Sequence, residues 1–336
     1  MVALTFPHAL GILENMKSSY FILIFLSFNI ISCISSPLRE PQSNESFHLD
    51  RLVYETKVPL VGNVELRTGV FFESSNVPFK GCVIYLEGLA DSILNHRPLF
   101  SSLSENGFRV IAFDYMGQGG SSGSMNHTRL YEPLFPTLEI GSQARFVWQE
   151  LQGLKSPTGH SCQQSKKMVI GWSTGGLAAY RLAYEKWADA VVLIAPGIHP
   201  RKFVGESAQS PSIMLTGDQV ITQRTLTRNE FQNQANPHID PINPISPMKV
   251  PFFASNLLIT SELSHFWEIS STVKGLVFLS GEEDTYVDRD ATKSTLAKRA
   301  PHFSIVAYKG ALHEIDNELP DVSNDMVQKS IQFLSR

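Results

Sequence analysis

Cysteine is scarce, with three in 336 residues. Cys33 closes an apolar stretch, Cys82 lies in a strand-like run and Cys162 in a polar segment. Three such positions form no disulfide framework and show none of the paired spacings that hold zinc or iron–sulfur clusters. Cys82 and Cys162 could pair after export, but unpaired thiols are the default reading. Charge is also sparse: acidic and basic residues make up 18% of the chain and balance to a net −4. No basic excess is available to track phosphates, so nucleic acid is not an expected partner. The apolar run YFILIFLSFNIIS, residues 20–32, falls short of the about 20 residues that a membrane-spanning helix needs. Hydrophobic residues nevertheless supply 43% of the chain, enough for one large globular domain or two small ones.

That run suits the core of a signal peptide, with Lys17 as its positive flank and Met16 as the expected start. It ends Ile30-Ile31-Ser32-Cys33, which resembles the lipobox of bacterial lipoproteins, where the cysteine is acylated. Residues 1–36 are expected to be a signal peptide, with Cys33 as the candidate lipidation site. Plain cleavage near Ser36 and an uncleaved anchor are the alternatives. Residues 37–50 are polar and read as a linker. Residues 51–336 are expected to be the catalytic domain.

From Leu52 to Phe72 short alternating runs predict antiparallel strands. Farther on, GCVIYL (81–86), RVIAF (109–113), KMVI (167–170), AVVLI (190–194) and GLVFL (275–279) are continuous apolar runs. Such runs fit strands buried on both faces of a parallel sheet. Helix-like stretches at 97–106, 138–152, 174–186 and 288–299 alternate with them. The alternation predicts an α/β fold, a mostly parallel sheet with helices on both faces. A long interruption at about 197–265 is read as an inserted cap. It contains Phe252, Phe253, Leu257 and Leu258, and Phe266 follows at its border; all five are candidates to line an acyl channel.

One of the strands runs into Gly171-Trp172-Ser173-Thr174-Gly175-Gly176. The spacing Gly-x-Ser-x-Gly is common by chance, but here a strand precedes it and a small-residue helix follows. That context is what a nucleophile elbow requires: the serine takes a strained conformation at a strand tip and its hydroxyl projects from the turn. A serine hydroxyl needs a base, and the base an orienting carboxylate. In this arrangement the chain order is Ser, acid, His. Among His199, His238, His265, His302 and His313, only His313 follows the last strand-like run and precedes the last helix. The string LSGEEDTYVD offers Glu282, Glu283, Asp284 and Asp288. Asp284 stands three residues beyond the Gly281 turn, whereas Asp288 reads as a helix N-cap. Asp218, in the similar string LTGDQV, falls within the insertion.

Taken together, YLEGLADSILNHRPLFSSLSENGFRVIAFDYMGQGGS (85–121), GWSTGG, GEEDTYVD and GALHEI resemble the α/β-hydrolase family, in its monoacylglycerol lipase, lysophospholipase and serine aminopeptidase branch. The resemblance spans about Gly81 to Phe333. It implies a Ser173, Asp284, His313 triad, an oxyanion hole formed by the backbone N–H groups of Leu89 and Thr174, and a structural role for Asp114. It implies no metal and no cofactor. The implied activity is hydrolysis of a carboxylic ester, an acyl-glycerol or lysophospholipid. The signal-peptide reading of residues 1–36 adds an exported, cell-envelope location, with membrane association through the N-terminus if Cys33 is acylated and secretion otherwise. A peptidase removing N-terminal residues, with Glu206 or Glu230 receiving the substrate amine, and a catalytically silent envelope binding protein are the alternatives. One position departs from the family: its usual histidine before the glycine is Glu87. A carboxylate so near an oxyanion would oppose its charge unless turned away or paired, and Arg97 is the expected partner.

Overall fold

The computed structural model describes residues 47–56, 62–89, 91–123, 136–201, 226–229 and 251–336. Their strands are β1 (Phe47–Glu55), β2 (Asn63–Phe71), β3 (Gly81–Leu86), β4 (Phe108–Phe113), β5 (Lys167–Trp172), β6 (Ala190–Ile194), β7 (Lys274–Leu279) and β8 (Ser304–Ala307). They form one sheet in the order β1-β2-β4-β3-β5-β6-β7-β8. The pairings β1–β2 and β2–β4 are antiparallel, and all later ones are parallel. The helices are α1 (Arg97–Glu105), α2 (Pro136–Leu151), α3 (Thr174–Tyr184), α4 (Pro251–Ser264), α5 (Arg289–Arg299) and α6 (Pro320–Leu334). This is the α/β-hydrolase arrangement that the sequence predicts.

The apolar runs explain the layering. Alternate strand residues face opposite sides of a sheet, so a strand covered on both sides is apolar except where a buried polar group finds a partner. In β3, Cys82, Ile84 and Leu86 join one core, whereas Val83 and Tyr85 join the other. The first core is completed by α2, α3 and α5 through Ile140, Val147, Leu177 and Leu296. The second is completed by α1 and α6 through Leu99, Phe100, Val327 and Ile331. Every residue of β3 and β4 is buried.

Two expectations are corrected. First, β1 begins at Phe47, whose ring packs at 4.3 Å from that of Phe71; residues 47–50 therefore belong to the sheet and not to a linker. Second, Cys82 and Cys162 are disulfide-bonded, with Cα atoms 5.7 Å apart. The register explains the pairing: Cys82 stands beside Lys167 of β5 on one side and Arg109 of β4 on the other, so the segment entering β5 passes directly over it. The buried Arg109 guanidinium holds that segment by donating to the carbonyls of Leu154 at 2.6 Å and His160 at 2.9 Å, and it pairs with Glu73 at 3.0 Å. Of the expected cap, residues 202–225 and 230–250, with Asp218, His238, Glu206 and Glu230, lie outside the described residues. So do residues 1–46, including Cys33. Among the described residues no helix is long and apolar enough to cross a membrane.

The disulfide spans 80 positions of sequence, and removing a cross-link of that kind typically costs about 2–5 kcal/mol. We expect Cys82→Ser combined with Cys162→Ser to lower the unfolding free energy by an amount in that range. Alkylation under denaturing, non-reducing conditions should leave both wild-type residues unmodified. Alkylation of both would contradict the assignment.

Candidate active site

Strand β5 and helix α3 meet at Ser173. Its φ of 53° and ψ of −113° place it in a region that a residue with a side chain rarely occupies, and such strain persists only where the surroundings over-determine it. Here its N–H donates to Ile194 O at 2.9 Å and its carbonyl accepts from Gly197 N at 2.9 Å, so β6 and its loop hold the turn from both sides. The glycines are required by proximity. A Cβ on Gly171 would lie 2.3 Å from Gly175 O, and one on Gly175 would lie 2.1 Å from Leu86 O. Strand β5, helix α3 and the end of β3 are thus in backbone contact around the serine.

His313 approaches from the turn after β8. Its Nε2 is 2.8 Å from Ser173 Oγ, and its Nδ1 is 2.9 Å from Asp284 Oδ2. Two neighbours fix the ring: the Trp172 indole N–H donates to His313 O at 3.0 Å, and the Tyr286 ring stacks on the imidazole at 4.8 Å. Asp284 is fully buried at the end of β7. Its Oδ1 accepts from the N–H groups of Tyr286 at 2.7 Å and Val287 at 3.1 Å, and Ser280 Oγ donates to its Oδ2. Burial by itself would raise its pKa. The His313 imidazole and these donors outweigh that and hold it below the ordinary aspartate value, so the carboxylate stays charged.

The competing residues have other partners. Glu282 and Glu283 are exposed and pair with Arg289 and Arg228. Asp288 caps α5 by accepting from Ala291 N at 2.9 Å. His302 sits beside Val273 O at 3.0 Å. His199 and His265 stack on each other at 3.7 Å, bonding Thr295 and Ile198 O respectively. Motif reading missed Trp172, Ser280 and Tyr286 as supports; only their adjacency to the elbow and to the acid turn marks them.

Thr174 is the first residue of α3, where backbone N–H groups have no partner within the helix and favour negative charge. Leu89 follows the end of β3 and packs against the first core. The contact between Gly175 and Leu86 brings that end of β3 against the first turn of α3. Asp114 has the structural role expected of it: it pairs with the buried Arg67 at 2.5 Å and accepts from Gly120 N at 2.6 Å and Ile93 N at 2.8 Å.

Arg97 is not the partner of Glu87; its guanidinium lies over the Phe47 ring at 5.4 Å. Glu87 instead turns into the loop after β4, accepting from Tyr115 N at 3.0 Å and the Gln118 amide at 2.5 Å. Complete burial, reinforced by Asp114 and Asp91, pushes its pKa well above 4.5. The raised pKa favours the uncharged acid, the form that would not oppose an oxyanion. The expected acyl-channel residues divide. Leu257 packs against the first core, and Phe266 is 71% exposed beneath the Arg299 guanidinium. The side chains of Phe252 and Phe253 lie outside the described residues.

Residues 78–320 match the profile of the family described as serine aminopeptidase, S33. The chain belongs to the S33 serine aminopeptidase family. The same fold recurs in solved structures that align over most of their own length. The monoacylglycerol lipase of Paleococcus ferrophilus aligns with a TM-score of 0.57 at 20% identity, over 80% of this chain and 98% of that one. A soluble variant of the Saccharomyces cerevisiae monoglyceride lipase, in complex with a substrate analogue, aligns at 0.62 and 13% identity, over 89% and 96%. A thermostable carboxyl esterase from Bacillus coagulans, in complex with glycerol, aligns at 0.58 and 14% identity, over 87% and 98%. No curated protein matches the sequence.

The state of Glu87 has a measurable sign. A group whose folded pKa is raised contributes stability below its unfolded value that is lost as pH climbs toward the folded one. Glu87→Gln, which cannot ionise, should therefore gain stability relative to wild type as pH rises above 4.5. Unfolding free energies measured from pH 4 to 8 (about the accessible range) test this, and a difference independent of pH would contradict it.

Proposed function

We propose that this serine hydrolase cleaves carboxylic esters, with acyl-glycerols or lysophospholipids as the substrate class. The observation that carries the reading is the unbroken line from Ser173 Oγ through His313 to a buried, charged Asp284. His313 removes the Ser173 proton as Oγ attacks the ester carbonyl. Asp284 keeps Nδ1–H as the bonded tautomer and stabilises the imidazolium that forms. The N–H groups of Leu89 and Thr174 receive the oxyanion; losing one such donor typically costs about 3 kcal/mol. His313 then protonates the departing alcohol. Water, activated by the same imidazole, releases the acid and regenerates Ser173. The resident groups complete this cycle with no metal or cofactor.

The acyl-ester preference is supported by the monoacylglycerol and monoglyceride lipases among the structural neighbours. The family's own description favours a second reading, removal of N-terminal residues from peptides. A series of p-nitrophenyl esters of increasing chain length, assayed beside aminoacyl amides, separates the two. We expect turnover of the esters and little of the amides; the reverse ranking would establish the peptidase. Ser173→Ala should abolish ester hydrolysis with an unchanged circular dichroism spectrum. Asp284→Asn should lower kcat about 10⁴-fold through the wrong imidazole tautomer. Residual activity above a few per cent in Ser173→Ala would reassign the nucleophile.

Export follows as part of the same proposal. The Cys82–Cys162 bridge suits an oxidising compartment, in keeping with residues 1–36 as a signal peptide. Acylation of Cys33 would tether the catalytic domain beside lipid substrate, stably if two or more tails insert. In a bacterial host the full chain should fractionate with membranes and carry a lipidated Cys33 as its mature N-terminus by intact mass. A mature N-terminus beyond Cys33 would make it a secreted hydrolase, and a retained Met1 or Met16 would overturn export.

A further inference from the structure

Behind the elbow lies a second buried histidine that no step of the hydrolytic cycle uses. His96, at the start of α1, is fully buried with a carboxylate on each ring nitrogen. Its Nε2 is 2.5 Å from Asp91 Oδ2 and its Nδ1 is 2.5 Å from Asp316 Oδ2. The two partners belong to the two loops that the chemistry must hold in register. Asp91 closes the turn that carries Leu89: it accepts from Gly88 N at 3.4 Å, Ser92 N at 2.7 Å and Asn95 Nδ2 at 2.7 Å. Asp316 lies three residues past His313 in a short 3-10 turn, Ile315–Asn317. A second strut joins the same loops, because Asn317 Nδ2 donates to Asn95 O at 3.0 Å.

The elbow itself touches this device. The Trp172 ring lies 5.5 Å from His96 on one side and 5.5 Å from His313 on the other. A Cβ on Gly88 would come within 2.3 Å of that ring. The Leu89 turn, the residue before the nucleophile and the base loop thus converge on one imidazole.

We propose that His96 is a positioning residue, clamping the oxyanion turn to the base loop through Asp91 and Asp316 so that Leu89, Ser173 and His313 keep their mutual distances. The chemistry of the ring supports it. A neutral imidazole has one N–H and one lone pair, and the lone pair would face a carboxylate oxygen; an imidazolium donates to both. The groups that face the ring are Asp91, Asp316, Glu314 and the Tyr85 ring on β3. Burial alone would lower the pKa of His96, but Asp91 and Asp316 together raise it well above the ordinary value. Burial, with Asp316 and Asp91, raises the pKa of Glu314 despite the opposing effect of His96, which favours its uncharged form. An imidazolium would thus donate to two carboxylates in a fully buried site, where such bonds are strongest.

The inference rests on Ser173 as the nucleophile, so its test reads the chemistry of that serine and not the choice of substrate. A fluorophosphonate probe reacts with an activated serine, and its saturation kinetics separate binding (KI) from reaction (kinact). In His96→Gln, which offers one donor in place of two, kinact should fall about 10- to 100-fold while KI stays within about twofold, the signature of misplaced reacting groups. Asp316→Asn keeps the side chain's size and provides the same test if His96→Gln does not fold. Combining Asp91→Asn with Asp316→Asn should slow the reaction little more than either alone, since each opens the same clamp. Wild-type kinact in either folded variant, or a loss confined to KI, would overturn the clamp. An unlabelled wild-type Ser173 would instead overturn the reading of the nucleophile, and the clamp with it.

Discussion

The backbone contact between the end of β3, the end of β5 and the first turn of α3 is the constraint on which the site depends. With Gly171 and Gly175 in place the three segments approach to distances that no side chain permits. That approach sets the left-handed backbone of Ser173. It also brings the turn after β3, and with it Leu89, to the N-terminus of α3, where developing negative charge is favoured. The positive φ is held by hydrogen bonds to Ile194 and Gly197, so the strain is borne by the sheet. The direction of the hydroxyl, the approach of the Leu89 turn to α3 and the reach required of His313 all follow from this one packing event.

Around it the fold sorts its buried carboxylates by charge. Asp284 accepts from Ser280 and two backbone N–H groups and stays ionised against His313. Asp114 is matched by Arg67. Glu87 and Glu314 have no cation at hydrogen-bond distance among the described residues, and burial raises their pKa values, which favours the neutral form. A low-dielectric interior penalises every unpaired charge, so the few it keeps are those with a partner. The outcome keeps a charged Asp284 beside His313 and favours an uncharged Glu87.

The sequence makes local features legible and leaves long-range ones hidden. The runs GCVIYL and AVVLI match β3 and β6 residue for residue, because both faces of these strands are buried. The elbow is visible because its glycines answer a steric need within five residues. Ser173, Asp284 and His313, chosen from motif order, are brought together in space. The Cys82–Cys162 bridge is not legible, since it depends on which strands are neighbours and not on any cysteine spacing. Glu87 looks like a misplaced charge in sequence because its burial, which neutralises it, is a tertiary property. His96 sits at an ordinary helix start, and nothing near it marks a partner at Asp316, on the far side of the chain.

The strained, glycine-flanked Ser173 is proposed to be a nucleophile activated by His313. Quenching the protein during turnover of a slowly deacylating p-nitrophenyl ester and mapping the adduct by peptide mass spectrometry tests it most directly. The account predicts one acyl group per chain, carried by the peptide that contains Ser173 and lost on hydroxylamine treatment as an ester should be. Hydrolysis without any trapped acyl-enzyme, or an acyl group on a different residue, would contradict it.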